Sequence, residues 1–484
     1  VRLQISFFLP CYFSLSNSAH LKIISSEVIM KRIISLLCCI ALAGCCQLSR
    51  QQRTNYPVAN GYYFAPHLMP DVAPQMQFPG YWIDRASTPD ALLLNLAQID
   101  SLNAAIHATG LVRDVIALAH CDSLEHFHDA AWNHMQRKRE MLAQRQLYEA
   151  DGTTLTPDEQ ASCLANLPRN TAEYHALKVD SLALFTCFTS EQMLPGNLFL
   201  SAKPYDDEFN ALQNNGLDMG EPTFVLCGSR DGKWVYQINS FSAGWVPREH
   251  LLLLSRAQHI NALPTAIVKQ PYAEYWQHSD ETGFIGVLRM GSTVYIDTTW
   301  HNTIHVRILR PQPSGMQTTY LRRDAITNTP QPLTRRNLLN AAFAWLHTPY
   351  GWGDTNQFVD CSKFIQCLYR LHGIIIPRNG RAQGSIAPNL LTQHATLSSQ
   401  QCIQQYGIPG LTMLHMPGHI MLYVGCNNDE VYAIHVLYRY QEIEGKYITN
   451  RVPNRVVIST LRLSEGSTRG SYLQRLSAVL HPCP

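Results

Sequence analysis

The chain has 484 residues, 46 % apolar and 15 % charged, with a net charge of +2. That length exceeds one hydrophobic core and fits three or four domains, and the balance is that of a folded chain rather than a disordered one. Near-neutral charge without a Lys/Arg run leaves no electrostatic footprint for nucleic acid. The fourteen cysteines form no CxxC pair and no Cys/His zinc spacing. No metal centre or disulfide framework is therefore legible, and most of them are expected as small buried residues.

The first informative segment starts at Met30. Lys31 and Arg32 form a charged start, and Ile33 to Ala41 a short apolar run too short to span a bilayer. Leu42, Ala43, Gly44 and Cys45 follow, a string that resembles the lipobox of bacterial lipoproteins. The resemblance implies cleavage before Cys45 and lipidation of its sulfur. Residues 1–29 precede this leader awkwardly, and Met30 is expected as the true start. No later segment has the length and apolarity of a membrane helix, so membrane contact is expected through the N-terminal lipid alone.

Residues 46–80, rich in Pro, Gln and Asn, read as a tether. From 81 to 192 the pattern is helical. Thr88-Pro89-Asp90 looks like a helix start, and Leu92, Leu93, Leu96 and Ile99 recur at helical spacing. Residues 193–256 change to short strands. Phe224-Val225-Leu226, a turn at Asp231-Gly232 and Trp234-Val235-Tyr236 predict a hairpin, and Gly244-Trp245-Val246 a further strand. The pattern resembles a bacterial SH3-like barrel. A second such barrel is expected over 257–332, with strands near Gly283–Val287, Thr293–Ile296 and Ile304–Ile308.

Residues 333–484 mix helix and strand and carry the chemistry. After the turn-rich Pro349-Tyr350-Gly351-Trp352-Gly353, Asp360-Cys361-Ser362 opens an amphipathic helix with Phe364, Leu368 and Leu371 on one face and Gly373 at its end. Asp360 suits the N-cap, which puts Cys361 in the first turn. There unpaired N–H groups favour a thiolate, and a nearby histidine is expected to complete an ion pair with it. Gly418 to Gly425 predicts a strand headed by His419, and Val431 to His435 a neighbouring strand ending in a second histidine. His419 is the candidate base and His435 the group that orients its ring. His415 is read as a surface or turn residue, His372 as a structural residue ending the helix, where a cation suits the dipole, Cys367 as core, and Lys363 as facing solvent.

The run PYGWG…DCS, then PR…Q, then GHIMLYVG, then IH resembles the NlpC-type cell-wall cysteine peptidases over about residues 335–470. The resemblance implies a papain-like catalytic domain within an α+β multidomain chain that needs no metal or organic cofactor. It implies Cys361 as nucleophile, His419 as base, His435 as orienting residue and Tyr350 as an oxyanion donor beside the Cys361 N–H. Asp360 and Ser362 match positions that contact the free amine of the stem peptide, and Arg378 matches an arginine near the cleft. The implied partner is a peptidoglycan stem peptide cut between γ-D-glutamate and a diamino acid, with a free N-terminal L-alanine. The implied setting is the bacterial envelope, on the periplasmic side, for a monomer. Lys363 replaces a common glycine, and Gly380 a common serine or alanine. A wall amidase or acyltransferase on the same fold, and a wall-binding lipoprotein without activity, are the alternatives.

Overall fold

The computed structural model describes residues 68–254, 263–444 and 447–482, and the backbone of strand Tyr62–Phe64. The leader and Cys45 lie outside the described residues. No helix among the described residues is long and apolar enough to cross a membrane.

Residues 68–80 of the stretch read as a tether pack onto the C-terminal domain. Met69, Val72, Met76 and Trp82 are buried in the core of the C-terminal domain. The Trp82 indole N–H donates to the Met76 carbonyl at 2.8 Å. Its ring packs where a β-bulge at Gly425 removes the side chain; a Cβ there would lie 3.0 Å from the indole. Strand Tyr62–Phe64 adds in parallel to the edge of Tyr447–Val452.

The region read as one helical domain is split between two cores. Residues 88–91 form a turn, not a helix start, and Leu92–Leu94 is a strand paired with Leu333–Thr334. The helix begins at Leu96, where Asn95 and Gln98 form a capping box, and runs to Ala108. Its Ile99 and Ile106 pack into the C-terminal domain. Helix Glu125–Gln144 instead packs Ala131, Met135 and Leu142 against the first β-domain. Apolar periodicity marks a buried face but does not say which partner covers it, so one helical run was open to two partners.

The first β-domain begins at Lys178, earlier than the expected 193, because strand Lys178–Phe185 pairs with both Pro222–Gly228 and Leu251–Leu253. The hairpin pairs Phe224 with Ile238 and Cys227 with Tyr236, and Gly232 takes a φ of +70° in its turn. Residues 265–327 form a second seven-stranded antiparallel sheet around its own core, centred on Val268, Leu288, Ile308 and Leu321. The C-terminal domain holds a five-stranded antiparallel sheet in the order Arg455–Thr460, Glu430–Leu437, His419–Asn427, Met413–Met416, Ala478–Leu480. Helix Cys361–Leu371 lies on this sheet, with Phe364, Ile365 and Leu368 fully buried.

A buried ion network joins these parts. Lys363 is 2 % exposed, not solvated as its charge suggested, and its Nζ lies 3.9 Å from Asp218 and 3.8 Å from Asp354. Lys363, Cys367 and Arg370 share a helix face at i, i+4 and i+7 spacing, and this face meets the β-domains. Arg289, from the second sheet, bonds both carboxylate oxygens of Asp218 at 2.8 and 3.1 Å and pairs with Asp354 at 3.1 Å. Arg370 pairs with Glu221 at 2.5 Å. Gly216 lets the chains meet closely: a Cβ there would lie 2.5 Å from that of Asp354.

Removing one member leaves its partners charged and buried, at a cost of about 3–5 kcal/mol. Arg289→Ala is therefore expected to lower the unfolding free energy by that amount in a denaturant titration. Arg462→Ala, which breaks an exposed pair with Glu465, is expected to cost less than about 1 kcal/mol.

Candidate active site

Cys361 is the first residue of its helix, and the Asp360 carboxylate caps it, accepting from the N–H groups of Ser362 and Lys363 at 3.1 and 2.8 Å. Cys361, His419, Asp360, Ser362, Tyr350 and Arg378 all line one cleft of about 920 Å³. His419 heads its strand. Its Nε2 meets His435 Nδ1 at 2.7 Å, and His435 Nε2 meets Ser459 Oγ at 2.9 Å. The two expected histidines are thus joined, and Ser459 extends the chain. A hydroxyl inside the apolar strand Val456-Val457-Ile458-Ser459 was the one sequence signal for it. This arrangement leaves Nδ1 of His419 as the nitrogen free for proton transfer. With Nε2–H donated to His435, and His435 Nε2–H donated to Ser459, each member is satisfied in one tautomeric pattern.

Burial sets the protonation states. It pushes the Cys361 thiol up to about 12, aided by the adjacent Asp360 carboxylate, against the N–H groups of Ile420 and Ser362. Burial holds His419 down to about 3, and the Arg475 charge acts in the same direction. Buried His435 is held well below the ordinary imidazole range, with His419 adding to the effect. Each group is therefore pushed towards its neutral form, thiol and imidazole. Desolvation thus works against the ion pair expected from the helix N-terminus and outweighs the helix-end amides.

Arg378 reaches the cleft wall but has no free donor for a substrate. Its Nε donates to Asn215 at 2.8 Å, Nη1 to Asp360 and Ser362 at 3.0 and 2.8 Å, and Nη2 to Asp354 and Asp360 at 2.7 Å each. It positions Asp360 and Ser362 rather than binding substrate. Asp360 Oδ1 is filled by these contacts, whereas Oδ2 accepts from Arg378 Nη2 alone. Burial raises the Asp360 carboxyl, but Arg378 outweighs it and keeps the group ionised below the usual carboxylate value. Asp354 was not legible in the sequence. It sits in a left-handed backbone conformation, φ +69°, within the loop Trp352–Gln357, anchored there by Arg289 and Arg378.

Tyr350 is buried beside Phe209 and Tyr438, with ring centroids 6.2 and 5.7 Å away. Burial, then the Asp360 charge, pushes its hydroxyl well above the ordinary tyrosine value, so it stays a donor. His415 lies in strand Met413–Met416 rather than a turn and bonds Ser477 at 2.8 Å, away from the His419 chain. His372 is buried against the Gln331 carbonyl at 2.9 Å, a structural position, and burial holds it down to about 4, away from the cationic form that would suit the helix end. Cys367 is buried, and the eight described cysteines are all free.

Residues 347–462 match the NlpC/P60 family, and residues 198–247 an SH3 domain of the SH3b1 type. A γ-D-glutamyl-L-lysine dipeptidyl-peptidase of Bacillus cereus is 26 % identical over 192 residues, 38 % of this chain and 54 % of the relative. A dipeptidyl-peptidase 6 of Lysinibacillus sphaericus is 30 % identical over 92 residues, 19 % of this chain and 30 % of the relative. The chain thus spans about half, or less, of the length of these curated relatives. The solved structure of an NlpC/P60 endopeptidase from Photobacterium damselae subsp. piscicida shares the fold, with a TM-score of 0.61 at 15 % identity over 83 % of this chain and 94 % of that one.

A neutral resting pair has a kinetic signature. The alkylation rate of Cys361 by iodoacetamide, followed by peptide mass spectrometry, is expected to climb about tenfold per pH unit from pH 6 to 9, as the thiolate fraction grows. A rate already flat from pH 5 upward would mark a preformed ion pair.

Proposed function

The chain is a member of the NlpC/P60 family with an SH3b-type domain, and on that footing we propose that it is a cell-wall cysteine peptidase. Its substrate is the bond between γ-D-glutamate and a diamino acid in a peptidoglycan stem peptide with a free N-terminal L-alanine. The observation that carries this reading is Cys361 at a helix N-terminus in one cleft with His419, whose ring is fixed by His435 and Ser459.

Substrate binding displaces water, and His419 Nδ1 takes the thiol proton as Cys361 attacks the γ-glutamyl carbonyl. The oxyanion is held by the Cys361 N–H and Tyr350; one such donor contributes about 3 kcal/mol to the transition state. The imidazolium is stabilised through Nε2–H to neutral His435 and gives its proton to the leaving amine. Water, deprotonated by His419, then cleaves the thioester. Support for the free-amine requirement comes from the non-catalytic wall. Asn214 and Ser242 of the first β-domain line the same cleft as Asp360, and Asp360 Oδ2 retains acceptor capacity for an ammonium.

The test is hydrolysis of L-Ala-γ-D-Glu-diaminopimelate, with and without a blocked amine, read by mass spectrometry. The expected outcome is release of L-Ala-γ-D-Glu from the free-amine peptide, none with Cys361→Ala, and a loss of about 10²- to 10⁴-fold in kcat with His419→Ala. Cleavage of both peptides removes the amine requirement. Cleavage of neither, with Cys361 still reactive, points to an amidase or acyltransferase.

A further inference from the structure

The cleft is electrostatically lopsided. Asp360 is the one carboxylate among the described residues that line it, and Arg378 engages it. Besides Arg381 and Arg439, the wall carries Arg469 and Arg475, from the segment that leads into the last strand of the catalytic sheet, and Arg475 lies on the His419 side of the site, behind Tyr472. Among the described residues neither has a carboxylate within ion-pair distance, unlike the neighbouring Arg462, which pairs with Glu430 and Glu465. Arg475 is half-buried, and its guanidinium lies 5.5 Å from the centroid of the buried Tyr472 ring. The same ring sits 5.9 Å from that of His419. Tyr472 therefore holds an uncompensated guanidinium one ring away from the catalytic base.

A half-buried cation facing another cation is costly without a counter-charge: burial, then Arg469, pull Arg475 below the usual guanidinium value. The same charge lowers the basicity of His419. Neither effect helps catalysis in the empty site, and both are relieved by an anion placed between Arg469 and Arg475.

Resting on the peptidase reading above, we propose that Arg475 and Arg469 form a subsite for the side-chain carboxylate of the leaving diamino acid, so that the enzyme selects diaminopimelate over lysine. The geometry supplies the direction. The leaving amine must reach His419 to receive its proton, which puts the diamino acid on the Tyr472–Arg475 side and the alanyl end at Asp360. Diaminopimelate carries a carboxylate beside its distal ammonium; lysine carries the ammonium alone, which two arginines repel. A guanidinium–carboxylate pair in a partly desolvated wall fixes orientation as well as charge.

The test is calorimetric titration of the full chain carrying Cys361→Ala with three ligands: L-Ala-γ-D-Glu-meso-diaminopimelate, the same peptide with its distal carboxylate amidated, and L-Ala-γ-D-Glu-L-lysine. The first is expected to bind about tenfold or more tighter than the others. Arg475→Gln and Arg469→Gln should each remove most of that preference without weakening the lysine peptide, and Arg475→Lys should keep part of it. Equal affinities, a preference that survives both glutamine variants, or no binding of any peptide overturns the subsite. Hydrolysis by the unmutated protein separates the two readings. Cleavage of all three at equal kcat/KM keeps the peptidase and removes the subsite. Selective binding without cleavage keeps the subsite and removes the peptidase.

Discussion

The buried charges along the nucleophile helix are the constraint on which the rest of the molecule depends. Asp218 and Glu221 come from the first β-domain, Arg289 from the second, and Asp354, Asp360, Lys363, Arg370 and Arg378 from the catalytic domain. Positive and negative groups are equal in number. Such a network is weak evidence for stability, because desolvation offsets most of the attraction. Its contribution is to geometry: any other docking of the β-domains would leave charges unpaired in a dry interface. One consequence is that the cleft is composite. Asn214 and Ser242 of a β-domain line it with Asp360, and Asn215 of the same domain holds Arg378, which in turn holds the residue that caps the Cys361 helix.

The same enclosure that excludes water also moves the two reacting groups apart in acidity. Burial favours the neutral forms of Cys361 and His419, so in the proposed mechanism the proton passes when a substrate is present to take up the developing charge. His435 stays neutral in its buried position and accepts from His419 without competing for the proton. Asp360 and the Arg475 charge behind Tyr472 line one cleft, so the proposed substrate, with an ammonium at one terminus and carboxylates at the other, would meet both signs of charge.

Much of the site was legible in the sequence because it is written locally. Asp360-Cys361-Ser362 before an amphipathic run signals a cap and a helix start, and a histidine at the head of an apolar strand is conspicuous. The hairpin at Asp231-Gly232 was legible for the same reason. What was not legible depends on partners far along the chain. Lys363 looks like a surface residue until Asp218 and Asp354 are brought to it. Arg378 looks like a ligand-binding arginine until its five N–H groups are each given an acceptor. The helical region from 81 to 192 shows apolar faces but not that one belongs to the catalytic core and another to a β-domain. Arg469 and Arg475 carry no local motif, and only the packing of Tyr472 between Arg475 and His419 brings them to the chemistry.

The account stands on Cys361 as the atom that carries the acyl group. Mixing the protein with L-Ala-γ-D-Glu-diaminopimelate, quenching in acid within the first turnover and digesting at low pH would trap that state for mass spectrometry. The account predicts a thioester adduct with the mass of L-Ala-γ-D-Glu less water on the peptide that contains Cys361, absent from Cys361→Ser and accumulating when His419 is replaced by a weaker base. Turnover at the normal rate with no adduct on any cysteine, or an adduct on a different residue, would contradict it.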